Sequence, residues 1–177
     1  MKIAFVRNPK TGSSSIREAL PKTVFTDAHR PLRKYEQGYT TIVFVRNPWE
    51  RLFSWWRHQN YCKTETFKDY VMRRALTERY KHGRWMTDLV IANQWEWVRD
   101  SFRGHADHIG RFEHMAEDFE HICLILGIDA APLGHRNKSI RHETYPHDPD
   151  AWDAEMVAHM DPMFGNFAEN FRYEPPL

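Results

Sequence analysis

Residues Thr40 to Val45 (TTIVFV) form an unbroken run of β-branched and aromatic side chains. Such a run lacks the polar alternation of a half-solvated strand and reads as a strand covered on both faces. Lys2 to Arg7 (KIAFVR) reads as a second short buried strand, and Thr23–Thr26 and His108–Phe112 as two more. Helical spacing fills the intervals. A first helix through Ile16, Ala19 and Leu20 is capped by Ser14 or Ser15 and stopped by Pro21. Others are expected over 49–58, 66–81, 87–99 and 113–126, the last with Gly127 just past its end. Asp148-Pro149 and Asp161-Pro162 read as two further helix starts, each a cap followed by proline. Strand–loop–helix units around buried strands predict an α/β protein, residues 1–177 forming a single domain with a central, mainly parallel sheet flanked by helices. In such sheets ligands bind beyond the carboxyl ends of the strands.

Composition narrows the function classes. The chain has 177 residues, with 41% hydrophobic and 28% charged, as an ordinary globular domain does. No apolar run approaches the roughly 20 residues that span a bilayer. Arg7 interrupts the opening apolar stretch early, so no secretory leader is expected. Cys62 and Cys123 stand far apart without a CxxC pairing, which fits a reducing, cytoplasmic setting better than a disulfide framework or a zinc site. Eleven histidines show no metal-ligand spacing. The first 60 residues carry 11 Lys/Arg against 4 Asp/Glu, and the remainder is acidic, giving a net charge of +1. That asymmetry points to one site for a small polyanion; a nucleic-acid binder is more often basic across a whole face.

Two motifs sit at strand ends. Pro9-Lys10-Thr11-Gly12-Ser13-Ser14-Ser15 joins the first strand to a helix. Gly12 permits close backbone approach, three serines, Thr11 and a helix start supply donors, and Lys10 adds a cation: an anion cradle. Lys10 precedes Gly12, so the order differs from the GxxxxGK[ST] nucleotide loop. The second motif, Arg46-Asn47-Pro48-Trp49-Glu50-Arg51-Leu52-Phe53-Ser54, follows the strongest strand. A cation stands there where a nucleoside-triphosphate enzyme would place a carboxylate for Mg²⁺. Arg51 and Ser54 share a helix face, and a guanidinium with a hydroxyl suits a phosphate monoester. Each motif alone also has a plain structural reading, a capped turn in one case and a carboxylate-paired arginine in the other.

Together the motifs resemble those of the sulfotransferases that use 3′-phosphoadenosine 5′-phosphosulfate (PAPS), in particular the compact, carbohydrate-sulfotransferase-like branch. The resemblance continues weakly through 109–128, Arg136-Asn137-Lys138-Ser139 and the closing Asp161, Phe164 and Gly165. It implies a P-loop nucleotide-hydrolase-like sulfotransferase fold. Lys10, Thr11, Gly12, Ser13, Ser14 and Ser15 would hold the 5′-phosphosulfate, and Arg46 and Ser54 the 3′-phosphate. The implied reaction is in-line sulfuryl transfer to a hydroxyl of a glycan or small metabolite, releasing adenosine 3′,5′-bisphosphate and needing no metal. It casts Lys10 as the group that stabilises the leaving oxygen and His29 as general base, with Glu18, Asp27 and Glu36 as alternatives. Residues 136–139 would close over the donor or form a solvated basic loop. Trp55, Trp56, Trp85, Trp95 and Trp97 would stack on sugar rings or, more commonly for aromatics at helical spacing, fill the core. Two other functions remain open at this level: a Mg²⁺-dependent small-molecule kinase and a non-catalytic nucleotide-binding module.

Overall fold

The computed structural model describes residues 1–26, 38–59, 63–75, 94–100, 104–134 and 152–177. The chain divides into two compact units, Met1–Arg46 with Gln94–Ile140, and Asn47–Asn93 with Arg141–Leu177.

The first unit is built on a parallel sheet. Strands β1 (Ile3–Val6), β2 (Phe25–Thr26), β3 (Thr40–Val45) and, after the short hairpin β4 (Arg99–Asp100) and β5 (Gly104–His105), β6 (His108–Arg111) are joined in the order β2-β1-β3-β6. The α/β architecture expected from the sequence is the one observed. Thr41 to Val45 are all buried, as a strand with neighbours on both edges and cover on both faces must be. Val6 pairs with Val43, and Val45 with Arg111, so β1, β3 and β6 end on the same edge of the sheet. Phe5, Ile42 and Phe44 pack with Ile16 and Leu20 of α1 (Ser13–Ala19, ending at Leu20) and with Phe119, Ile122 and Cys123 of α5 (Met115–Leu126). At the opposite end Asp107 ties β6 to β3: one carboxylate oxygen accepts from the Thr41 N–H and hydroxyl at 2.8 and 2.7 Å, and the Asp107 N–H donates to the Thr41 oxygen.

The second unit is helical. Asn47 caps α2 (Pro48–His58) by accepting from the N–H groups of Trp49 and Glu50, and Pro48 occupies the first turn, where its missing N–H costs nothing. Trp49, Leu52, Phe53, Trp55 and Trp56 pack with Phe67 of α3 (Phe67–Asp69), with Tyr70 and Val71 of the π-helical turn that continues it to Ala75, and with α6 (Ala154–Phe171). Trp55 and Trp56 are thus core, as is Trp97 of α4 (Trp95–Val98) in the first unit. Trp85 lies outside the described residues.

Three local expectations change. The cap of α1 is Gly12 in the left-handed region (φ 72°) instead of Ser14 or Ser15, and Ser13 already belongs to the helix. Asp161-Pro162 does not start a helix; it lies inside α6, which is capped by the Asp153 carboxylate accepting from the Met156 N–H. A proline in a helix interior costs about 3 kcal/mol. Burial of Met156, Met160, Phe164 and Phe167 contributes roughly 1.5–3 kcal/mol each, enough to carry the helix through. The helix expected over 87–99 is described only at Trp95–Val98, and Arg99 already turns into strand. The expected start at Asp148-Pro149 is outside the described residues.

Gly110 of β6 tests the packing between β3 and β6. A Cβ there would lie 2.4 Å from the Phe44 ring. The substitution Gly110→Ala is therefore expected to destabilise the protein by roughly 1–3 kcal/mol through overpacking. Thermal unfolding should show a midpoint lowered by about 2–4 °C for each kcal/mol in a chain of this size; an unchanged midpoint contradicts this packing.

Candidate active site

The loop between β1 and α1 is shaped by its own hydrogen bonds. The Asn8 N–H donates to the Val6 carbonyl at 3.0 Å, and the buried Thr11 hydroxyl donates to the Asn8 carbonyl at 2.9 Å. The Thr11 side chain thus sets the curvature of the loop. Lys10 and Gly12 both adopt positive φ, 65° and 72°. For glycine this is cheap. For Lys10 it costs on the order of 1 kcal/mol, a strain of the sort that concentrates at functional loops. The first intrahelical bonds of α1 run from Ser15 and Ile16 to the Gly12 carbonyl, so the N–H groups of Ser13 and Ser14 precede the helical ladder. Ser13 and Ser15 are buried and Ser14 is half-buried. A Cβ on Gly12 would meet the sulfur of Met115 at 2.4 Å and the ring of Phe112 at 3.3 Å, so only glycine lets the loop lie this close to the start of α5.

Arg46 follows β3 on the edge where this loop leaves β1. Its guanidinium lies over the Phe112 ring, 4.2 Å from the centroid, and Nη1 donates a long bond of 3.4 Å to the Lys10 carbonyl. Phe112 therefore touches both motifs: it supports the charge of one and bounds the glycine of the other. Residue Arg111, beside it, donates its N–H to the Asp118 carboxylate at 2.6 Å, which fixes the turn from β6 into the short 3₁₀ segment Phe112–His114. Asp118, in the first turn of α5, thus has a structural task.

The electrostatics of the loop follow from this geometry. The Lys10 ammonium is lowered to about 8, first by burial and second by the positive charge of Arg46. Two cations crowded together in a half-dry place repel one another, and an anion between them relieves both costs. Lysine at about 8 is still mainly protonated at neutral pH, yet it is a far better proton donor than an ordinary lysine. Among the described residues no group of His, Cys, Asp and Glu is arranged to hold a metal, and no helix is long and apolar enough to cross a membrane.

The structure thus brings Lys10, Thr11, Gly12, Ser13, Ser14, Ser15 and Arg46 into the first unit, with the Arg46 guanidinium on the Lys10 carbonyl. Ser54 stands half-buried in α2 of the second unit, one turn beyond the buried Arg51. Glu18 is exposed on α1. His29, Asp27, Glu36 and the segment 136–139 lie outside the described residues. The sequence motifs do not reveal Phe112, although its position immediately after the strand-ending Arg111 is a usable signal. Nor do they reveal Asn8, Gln94 and Asp107, since polar residues outside a motif carry no such signal.

A family model described as the sulfotransferase family matches residues 5–163, through the phosphate-type loop, the Arg46 motif and most of α6. The chain belongs to the sulfotransferase family. No curated protein and no solved structure matches it. Sulfotransferase membership is thus carried by the whole-chain pattern and agrees with the cation pair and serine-rich loop described above.

The lowered Lys10 ammonium makes a linkage prediction. Below about pH 8 the native state bears the full penalty of the charged group. Between about 8 and the ordinary lysine value the unfolded chain binds more protons than the native one, so stability contributed by this site rises with pH. The variant Lys10→Met lacks the penalty. Its advantage over wild type in urea unfolding should be largest near neutral pH and should shrink between about pH 8 and 10.5; a pH-independent difference would contradict the assignment.

Proposed function

We propose that this sulfotransferase takes PAPS as donor and moves its sulfuryl group to a hydroxyl of a glycan or small metabolite, with residues 1–177 acting as one catalytic domain in a cytoplasmic setting. The observation that carries the reading is the Arg46 guanidinium on the Lys10 carbonyl at neighbouring strand ends, where burial and the charge of Arg46 make the Lys10 ammonium costly without an anion. The residues fit a donor with phosphate groups at both ends of an adenosine. The serine-rich loop suits the 5′-phosphosulfate, and the Arg46 to Ser54 motif suits the 3′-phosphate. Neither motif offers a carboxylate at the position where a kinase holds Mg²⁺.

When bound, the donor supplies an activated sulfuryl group that passes to the acceptor oxygen as adenosine 3′,5′-bisphosphate leaves. The chain's own groups do the rest. Gly12 allows the backbone to come close, and the first-turn N–H groups and serine hydroxyls of α1 orient the anionic end. Lys10 neutralises the charge that develops on the bridging oxygen, and its lowered proton affinity suits it to hand over a proton there. His29 removes the acceptor's proton, an assignment supported by the resemblance to carbohydrate sulfotransferases. Positioning and electrostatics thus carry the catalysis, with no covalent enzyme intermediate.

Calorimetric titration should show saturable binding of adenosine 3′,5′-bisphosphate without divalent metal; binding of ATP only with Mg²⁺ would favour a kinase instead. Loss of a charged hydrogen bond costs about 1.5–3 kcal/mol, so Arg46→Ala should weaken adenosine 3′,5′-bisphosphate by roughly 10–100-fold. Removal of a general base typically costs 10²–10⁴ in rate. For His29→Ala, a loss of transfer in that range with intact nucleotide binding supports the proposed role, and an unchanged rate removes it.

A further inference from the structure

The backbone of Arg46 lies one residue past the last pair of the β3–β6 ladder, Val45 with Arg111. There a side chain takes over the role of a strand. The Gln94 Oε1 accepts from the Arg46 N–H at 3.0 Å, and the Gln94 Nε2 donates to the Arg46 carbonyl at 2.6 Å. The same Oε1 accepts a second bond, 3.1 Å, from Nδ2 of Asn8, which also donates to the Phe44 carbonyl at 2.9 Å. Asn8 and Gln94 are 0% and 2% exposed, so these amides have little access to water and depend on one another.

The arrangement is directional. Were the Gln94 amide turned over, its NH₂ would face both the Arg46 N–H and the Asn8 NH₂, and its oxygen would face the Arg46 carbonyl. Asn8 thus selects the orientation in which Gln94 matches both backbone groups of Arg46. Gln94 is held in turn by its own carbonyl, which accepts from the Trp97 N–H at 2.9 Å as α4 begins. The guanidinium at the far end of Arg46 is set separately, by the Phe112 ring and the Lys10 carbonyl.

We infer that Gln94, oriented by Asn8, is a positioning residue for Arg46: it fixes the backbone from which the guanidinium reaches the donor's 3′-phosphate. The inference rests on the proposed reading of Arg46 as a ligand of that phosphate. The Gln94 amide bonds the N–H and the carbonyl of Arg46 directly, so its effect falls first on the end of the nucleotide that Arg46 would hold. The 5′ end is held by the loop that begins at Lys10.

The test is calorimetric titration of wild type, Gln94→Met and Gln94→Glu with two nucleotides, adenosine 3′,5′-bisphosphate and adenosine 5′-monophosphate. Gln94→Met keeps the length and loses all three side-chain bonds; Gln94→Glu keeps the shape and both acceptor contacts, and sets a carboxylate oxygen against the Arg46 carbonyl, so one variant remains if the other fails to fold. Leaving such buried groups unmatched is expected to weaken the bisphosphate at least about tenfold. Affinity for the monophosphate should stay within about threefold of wild type. Equal losses for both nucleotides mean that Gln94 merely supports the fold, and no loss for either means that Arg46 does not need it; each result overturns the inference. A wild-type protein that fails to prefer the bisphosphate overturns the reading of Arg46 itself, and the variants are not needed to see it.

Discussion

Lys10 and Arg46 hold their charges together at the carboxyl ends of β1 and β3, against burial and against each other. That opposition is sustained by the parallel sheet. Its register ends both strands on one edge, Phe44 and its neighbours anchor β3 in a dry core, and the Asn8–Gln94 pair fastens the backbone where the ladder stops. In the proposed reading, a site assembled in this way needs little reorganisation to bind an anion. The strain in Lys10 and the close approach of Gly12 to Met115 belong to the same arrangement.

Family membership and local geometry answer different questions. The family match states that the chain is a sulfotransferase over most of its length. In the proposed reading such a protein works with little more than placement: two cations, a tight loop and a helix start would do for sulfuryl transfer what similar parts do for phosphoryl transfer. Phe112 joins the two motifs, since one ring bounds the glycine of the loop and carries the guanidinium that follows β3.

Much of this was legible in the sequence because it is local. TTIVFV announces a strand covered on both faces, Asn47-Pro48 a capped helix start, and Gly127 the end of α5, where it takes φ 62°. The two phosphate-type motifs are short and contiguous for the same reason. What escaped detection depends on distant partners. Gln94 meets residues 48 and 86 positions away, and no neighbouring residue hints at either bond. Helix α6 runs through Pro162 because of an apolar stripe that outweighs a local breaker, and the close approach of Gly12 to Met115 leaves no room for a Cβ at the cap of α1. In each case a tertiary contact overrules a local preference.

In the proposed reading the serine-rich loop and the arginine after β3 grip opposite ends of one nucleotide, which a crystal structure of the protein with adenosine 3′,5′-bisphosphate would reveal. The 5′-phosphate is expected against Lys10 and the first turn of α1, and the 3′-phosphate against the Arg46 guanidinium. A nucleotide seated with its 3′-phosphate remote from Arg46, or with neither phosphate at the loop, would contradict it.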